Sequence, residues 1–399
     1  MLGFPELPRA AKVVVAGNFL SVAARMSLVT FLGIYFVRDA GIALPLVGLA
    51  YLCESLLRGL LAPMYGALSD RIGRKPLLVF GATGAGLVLP SFLLVDGPAS
   101  LFAWSLAMGA VGGINWSVSG ALLLDLVPPE RRQSVLAVNY TGVSVAYTLG
   151  VMPAGYVAER GYGLLAACTA SGFALVVLLY LFFLRDLPRP DRPHEDENLA
   201  ASTFAVFRDR AFLGFSALGF VFPLVVGLVI SASPIFGADL GLGEGYIGLV
   251  LGGNSIIVAL LAVPVAARIE ASGPFRHLGA TGALVAIALA CYALIPSPAI
   301  ALLAGTVVFS FAELVFSSAM PAAVGRLAPP GRRGAYQGGW SMVSSVSMGS
   351  ALFLSGSLRD AVGWPATWLA YAGLVACAAI CLHAMRERFL RLGDARHAS

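Results

Sequence analysis

The sequence predicts an all-α membrane protein: twelve transmembrane helices in two six-helix, pseudo-symmetric halves. Three observations predict it. First, 58% of the 399 residues are hydrophobic and only 12% are charged, about half the charged share of a soluble domain. Second, apolar runs of about 20 residues, the length that crosses a bilayer as a helix, recur along the whole chain. They are continuously apolar rather than alternating, which argues against a transmembrane barrel. Third, the stretch LVPPERRQS, from Leu126, is echoed half a chain later by LAPPGRRGA, from Leu327.

The first six spans are expected at about 13–37, 44–67, 76–95, 100–127, 133–158 and 162–184. The second six are expected at about 211–236, 245–267, 277–295, 299–325, 335–357 and 364–385. Between the sets lies RDLPRPDRPHEDENLAASTFAVFRDR, rich in proline and in both signs of charge. Such a segment is a solvated linker. The expected organisation is therefore an N-terminal bundle over 1–184, a linker over 185–210 and a C-terminal bundle with a tail over 211–399. Phe204 to Arg210 is expected to form a short interfacial helix.

Placement of basic residues orients the chain. With the N-terminus inside, all but five of the 26 Lys and Arg fall in cytoplasmic segments. Arg38, Arg160 and Arg359 fall outside, and Arg25 and Arg58 fall within spans. Both termini are thus expected in the cytoplasm. The two PP-x-RR loops then both face the cytoplasm, between spans four and five and between spans ten and eleven. A second echo pairs Asp70 and Gly73, after span two, with Glu270 and Gly273, after span eight. Two similarly oriented six-helix halves form the parallel repeat of a rocking transporter.

The five cysteines lie inside apolar runs, are odd in number and lack metal-ligand spacing, so they are expected to act as small hydrophobes. The net charge of +5 comes from short loops and does not indicate nucleic acid. The first apolar run is too long for a signal peptide core and lacks a cleavage site. No phosphate loop, nucleophile elbow or metal cluster stands out, so neither an enzyme nor a cofactor is expected.

After span two comes GALSDRIGRKP, Gly66 to Pro76. It resembles the loop signature of the major facilitator superfamily, G-x-L-[AS]-D-R-x-G-R-[KR], at every position. The resemblance implies a conformational latch built from Gly66, Asp70, Arg71, Gly73, Arg74 and Asp125. Gly66 allows close helix approach and Gly73 a tight turn. Asp70 would face the N-terminal end of the eleventh helix, near Ala335. Arg74 would pair with Asp125, the acid ending span four. In the second half the basic part is reduced to GPFR, so only the first latch is expected to be complete.

Within that superfamily the chain is similar to twelve-helix drug/proton antiporters. SVAARMSLVTFLGIYF in span one resembles the arginine-bearing stretch of some bacterial exporters. NYTGVSVAYTLGVMPAGYV in span five resembles the antiporter signature, with Gly142, Gly150 and Gly155 in place. Val151 stands where that signature has proline, and Pro153 follows two residues later. The resemblance implies a monomer in the bacterial inner membrane, working on a small molecule and protons.

Ionisable groups deep in a bilayer are costly and mark function. Arg25, Glu54, Arg58 and Glu313 lie about 15–21 Å below the outer ends of their spans at 1.5 Å per residue, near the midplane. Glu54 and Arg58 are four apart and share a face, with Glu first. They form either a structural salt bridge with Arg25 as third member, or a proton site whose charge the arginines hold and release. Glu313 has no charged neighbour in its own stretch, FSFAELVFSS, and is a candidate proton carrier. Candidate substrate contacts are Asn115, Tyr147, Asn139, Tyr140, Asn254 and Trp340, although each residue type also serves as helix-packing glue. The expected function is proton-coupled efflux of amphipathic small molecules. The alternatives are transport of an organic anion, which Arg25 would favour, and a membrane sensor that does not transport.

Overall fold

A computed structural model of the chain describes residues 7–128, 131–184, 205–329 and 332–398. The helices of the first half are α1 (Arg9–Arg38), α2 (Leu44–Ile72), α3 (Arg74–Val88), α4 (Pro98–Gly112), α5 (Ile114–Asp125), α6 (Arg132–Arg160) and α7 (Tyr162–Phe183). Those of the second are α8 (Arg210–Gly219), α9 (Val221–Asp239), α10 (Glu244–Ser272), α11 (Leu278–Leu294), α12 (Pro298–Leu327), α13 (Arg333–Ala384) and α14 (Arg386–Ala398). The chain divides into two compact units, Met1–Glu195 with Gly243–Ile256, and Asp196–Leu242 with Ile257–Ser399.

Among the described residues, ten helical segments are long and apolar enough to cross a membrane. One of them is α13, which bends at Gly363 (φ +80°) into two spanning arms. The twelfth path is α6, which carries Asn139, Tyr140, Thr141, Ser144, Tyr147 and Thr148 and is the most polar of the set. Twelve spans result, as the sequence predicts.

Two of the expected spans are interrupted within their bounds. Span four is two helices, α4 and α5, parted at Gly113. The cause is legible in GAVGG, Gly109 to Gly113, where three glycines weaken the helix. Span seven is likewise α8 and α9, parted at Phe220. At the end of the linker, Val206–Arg208 make one turn of 3-10 helix directly after helical Ala205; Phe204, where the expected interfacial helix begins, lies outside the described residues. Asp209 then caps α8, accepting from the Ala211 amide at 2.8 Å, an arrangement that stabilises a helix by about 1 kcal/mol. The remainder of the linker, 185–204, lies outside the described residues.

The repeat is written into the backbone. Among the described residues six glycines have positive φ: Gly41, Gly73, Gly161, Gly241, Gly273 and Gly363. They form three pairs at corresponding loops, after spans one and seven, two and eight, five and eleven. The left-handed region is open to glycine and strained for other residues, so each half uses the same three turns.

In the first unit α1 packs against α6 and α7, α2 against α4, and α3 against α7. The α1–α6 seam is tight: a Cβ added at Gly150 would sit 2.5 Å from the Ala23 carbonyl oxygen. In the second unit α13 packs against α9 and α11, and α11 against α12. Phe236, Tyr292, Trp364 and Trp368 form an aromatic core within it. There Asp239 accepts from Arg359 at 2.6 Å and from the Trp364 indole at 2.9 Å.

The loops after spans two and eight diverge physically. In the second half Pro274 and Phe275 are buried, and Phe275 stacks on Phe389 of α14 at 6.2 Å while meeting Phe215 at 5.9 Å. The C-terminal tail is thus a helix docked through Phe389, which is 2% exposed.

Candidate functional site

The site grows from the break in span four. Breaking the helix at Gly113 leaves the preceding carbonyls open to side-chain donors. The Tyr65 hydroxyl donates to the Ala110 carbonyl, and Arg25 Nη1 donates to the Gly112 carbonyl at 3.2 Å. Small residues make the space: a Cβ at Gly112 would lie 3.2 Å from Arg25 Nη1, and one at Gly113 would lie 3.1 Å from Arg58 Cγ. The glycines that part α4 from α5 therefore also admit both arginines.

Arg25 Nη2 reaches Glu54 Oε1 at 3.4 Å, and Arg58 Nη1 reaches the same oxygen at 3.5 Å. Ser55 donates to Glu54 Oε2 at 3.3 Å and accepts from Arg58 at 3.4 Å. Side-chain exposure is 14% for Glu54, 20% for Arg25 and 34% for Arg58. The acid is therefore the deepest member, with its screening by water reduced. The expected three-member cluster is formed, with two cations on one carboxylate.

Arg25 lines two cavities inside the first unit. One, of about 70 Å³, is lined by Asn18, Ser21, Arg25, Met108, Asn115 and Trp116 among others. The second, of about 50 Å³, is lined by Arg25, Val29, Tyr51, Glu54, Trp104 and Met108 among others. Both are far below the 300–1,000 Å³ of a site for a drug-sized ligand.

The structure gathers some of the candidate contacts and not others. Asn115 lies beside Arg25. Asn139 accepts from Asn18 at 2.9 Å, next to that cavity. Tyr140 is exposed, while Tyr147 and Asn254 are half-buried, and none of the three lines either cavity. Trp340 is 5% exposed, in the second unit's core with Phe215. Glu313 is half-buried on α12. Sequence reasoning missed Asn18, Ser21, Tyr51 and Ser55; the glycine run at 109–113 was the one signal that could have pointed to this region.

The Arg74–Asp125 pair that the resemblance implies is formed in the first unit. Gly73, at φ +96°, ends α2 and lets α3 begin at once with Arg74. Arg74 Nη2 meets Asp125 Oδ2 at 3.1 Å, and Nη1 donates to the Ser69 hydroxyl. Asp125 is the last residue of α5, where the helix dipole disfavours an acid; Arg74 offsets that. Arg71 is exposed. Gly66 and Asp70 fall on α2, but their surroundings lie outside the described side chains. Asp125 is 43% exposed, and exposed pairs contribute about 1 kcal/mol or less. Asp125→Asn is therefore expected to change stability by less than about 1 kcal/mol, checked by thermal unfolding in detergent.

The family profile of the major facilitator superfamily matches residues 14–243 and 215–395. A Na(+), Li(+), K(+)/H(+) antiporter of Planococcus maritimus is 26% identical over 373 residues, covering 82% of this chain and 84% of that protein. Multidrug resistance protein MdtG of Dickeya zeae is 30% identical over 183 residues, 44% of each chain. Among solved structures, the D323A mutant of nucleoside transporter NupG superposes with a TM-score of 0.81 at 16% identity, covering 94% of this chain and 99% of that one.

Proposed function

The chain belongs to the major facilitator superfamily, and from that premise we propose that it couples proton entry to the expulsion of amphipathic small molecules. Membership makes it a multi-pass membrane transporter. The cargo and the coupling ion are our reading. It places both termini in the cytoplasm of a bacterium, the chain in the inner membrane, and the working unit as a monomer.

The observation that carries the coupling is Glu54 held between Arg25 and Arg58. Charged groups at this depth are costly and are kept for a purpose. A proton on Glu54 removes the negative charge that both arginines share, so the cluster loosens. Deprotonation closes it again. Helices α1, α2 and α4 meet at this cluster, so its two states bias two arrangements of those helices. Glu313 is the second proton group, in the other half. The names of two relatives, a cation/proton antiporter and a multidrug resistance protein, support antiport and drug cargo. Asn115, Asn139, Tyr140, Tyr147, Asn254 and Trp340 are the proposed cargo contacts, with Asn115 first. Gly66, Asp70, Arg71, Gly73, Arg74 and Asp125 form the latch that sets the rate of the cycle.

The test uses purified protein in vesicles with an imposed pH gradient and a fluorescent lipophilic cation. We expect transport that collapses with an uncoupler. Transport indifferent to the gradient would end the antiport reading. Glu313→Gln is expected to leave folding intact and cut gradient-driven transport at least tenfold. Asp125→Asn is expected to change the transport rate several-fold while cargo affinity stays constant.

A second reading, transport of an organic anion, is favoured by the surplus of positive charge around Glu54. Uptake of a labelled organic acid that is lost in Arg25→Gln, with lipophilic cations ignored, would select it.

A further inference from the structure

We propose that the first bundle holds a small inorganic anion, of the size of chloride, in the cavity that Arg25 shares with Ser21 and Asn115. The argument begins with charge. Arginine stays protonated in proteins, so Arg25 and Arg58 bring two positive charges to one carboxylate. Whatever the state of Glu54, at least one positive charge remains in excess within the cluster. Arg58 is one-third exposed and reaches water; Arg25 lies deeper.

Hydrogen bonding locates the place. Arg25 uses Nη1 on the Gly112 carbonyl and Nη2 on Glu54. Its Nε is buried and has no hydrogen-bond partner in the protein, and the same holds for the Ser21 hydroxyl and Asn115 Oδ1. Ser21 and Arg25 are four apart on α1 and share a face, and Asn115 stands on α5. All three line the same cavity. A buried donor without a partner costs about 1–3 kcal/mol, more when charged. Here two donors, one cationic, belong to residues that line one cavity. Asn115 becomes a third donor when its amide is turned, since its oxygen and nitrogen exchange places with little change in shape.

Size and composition select the ligand. At about 70 Å³ the space is several-fold smaller than a drug-sized site, so it is separate from any pocket for amphipathic cargo. A chloride ion fits with one or two waters. No carboxylate lines this cavity; Glu54 lines the second one instead. The rest of the wall includes Val22, Leu89 and Phe173, which suits a weakly hydrated monatomic anion better than a strongly hydrated oxyanion.

Halide binding to the purified full-length protein tests this. Thermal unfolding is followed while sodium bromide replaces sodium gluconate at constant ionic strength. We expect saturable stabilisation by bromide and chloride, with gluconate inert. Ser21→Ala is expected to unfold at or above the wild-type temperature in gluconate, since it removes a buried hydroxyl without a partner, and to need about tenfold more bromide for half-saturation, the loss of one hydrogen bond to a charged group. Bromide-soaked crystals are expected to give an anomalous peak within hydrogen-bond reach of Arg25 Nε. Equal stabilisation by bromide and gluconate, an unshifted midpoint in Ser21→Ala, or water alone beside Arg25 Nε would each overturn the proposal.

Discussion

Glu54→Gln is expected to abolish proton-driven transport and to destabilise the protein by about 3 kcal/mol, the low end for removing one member of a buried ion pair. The low end applies because Arg58 is one-third exposed and is partly screened. The substitution keeps shape and the hydrogen bond with Ser55, so what changes is charge: two guanidinium groups lose their shared counter-ion. Thermal unfolding and flux in vesicles under a pH gradient measure the two effects. A cycle with Arg25→Gln separates them. The double variant is expected to be more stable than the sum of the single losses, because neighbours that share one interaction are not additive, while transport stays lost. If Glu54→Gln transports at the wild-type rate under the same gradient, Glu54 is a structural bridge and the proton acts elsewhere.

Gly150→Leu is the second large effect. The Cβ alone would lie 2.5 Å from the Ala23 carbonyl oxygen and 3.0 Å from its Cα. Both are backbone atoms of α1, so no side chain can swing aside. Gly150→Ala is expected to cost about 1–3 kcal/mol by overpacking, and Gly150→Leu more, by parting α1 from α6. Gly142 lies on the same helix, with its nearest outside atom, Val15 Cγ1, at 3.9 Å. Gly142→Ala is expected to be neutral, or to gain up to about 1 kcal/mol from helix propensity. Unfolding temperatures of the variants in one detergent check the contrast. Equal behaviour at Gly142 and Gly150 would mean that the glycine spacing of α6 does not build this seam.

Some of the site was legible in one dimension. Glu54 and Arg58 sit one helical turn apart, so their pairing followed from spacing alone. Arg74 and Asp125 followed from a resemblance whose residues are all present, and the pair is formed. Arg25 and Glu54 were placed at a similar depth by counting along two spans, and the two meet at 3.4 Å. Counting gives depth because each residue climbs a fixed distance along a helix. It does not give rotation. Trp340 sits among the buried aromatics of the second unit and Tyr140 is exposed, a distinction that their sequence neighbourhoods do not carry.

The sequence by itself determined that this chain crosses a membrane about twelve times and repeats its plan after six spans, with Gly73 echoed by Gly273. Hydrophobic run length, charge placement and loop motifs are local signals, and the bilayer sets their scale. Only the tertiary structure decided that span four breaks at Gly113, that the Gly112 carbonyl receives Arg25, and that Ser21 and Asn115 face the same small cavity. The reason is physical. A helix that is apolar all round has no stripe to reveal which face meets its neighbours. Its rotation is set by close packing of small residues, and that is a property of the assembled bundle.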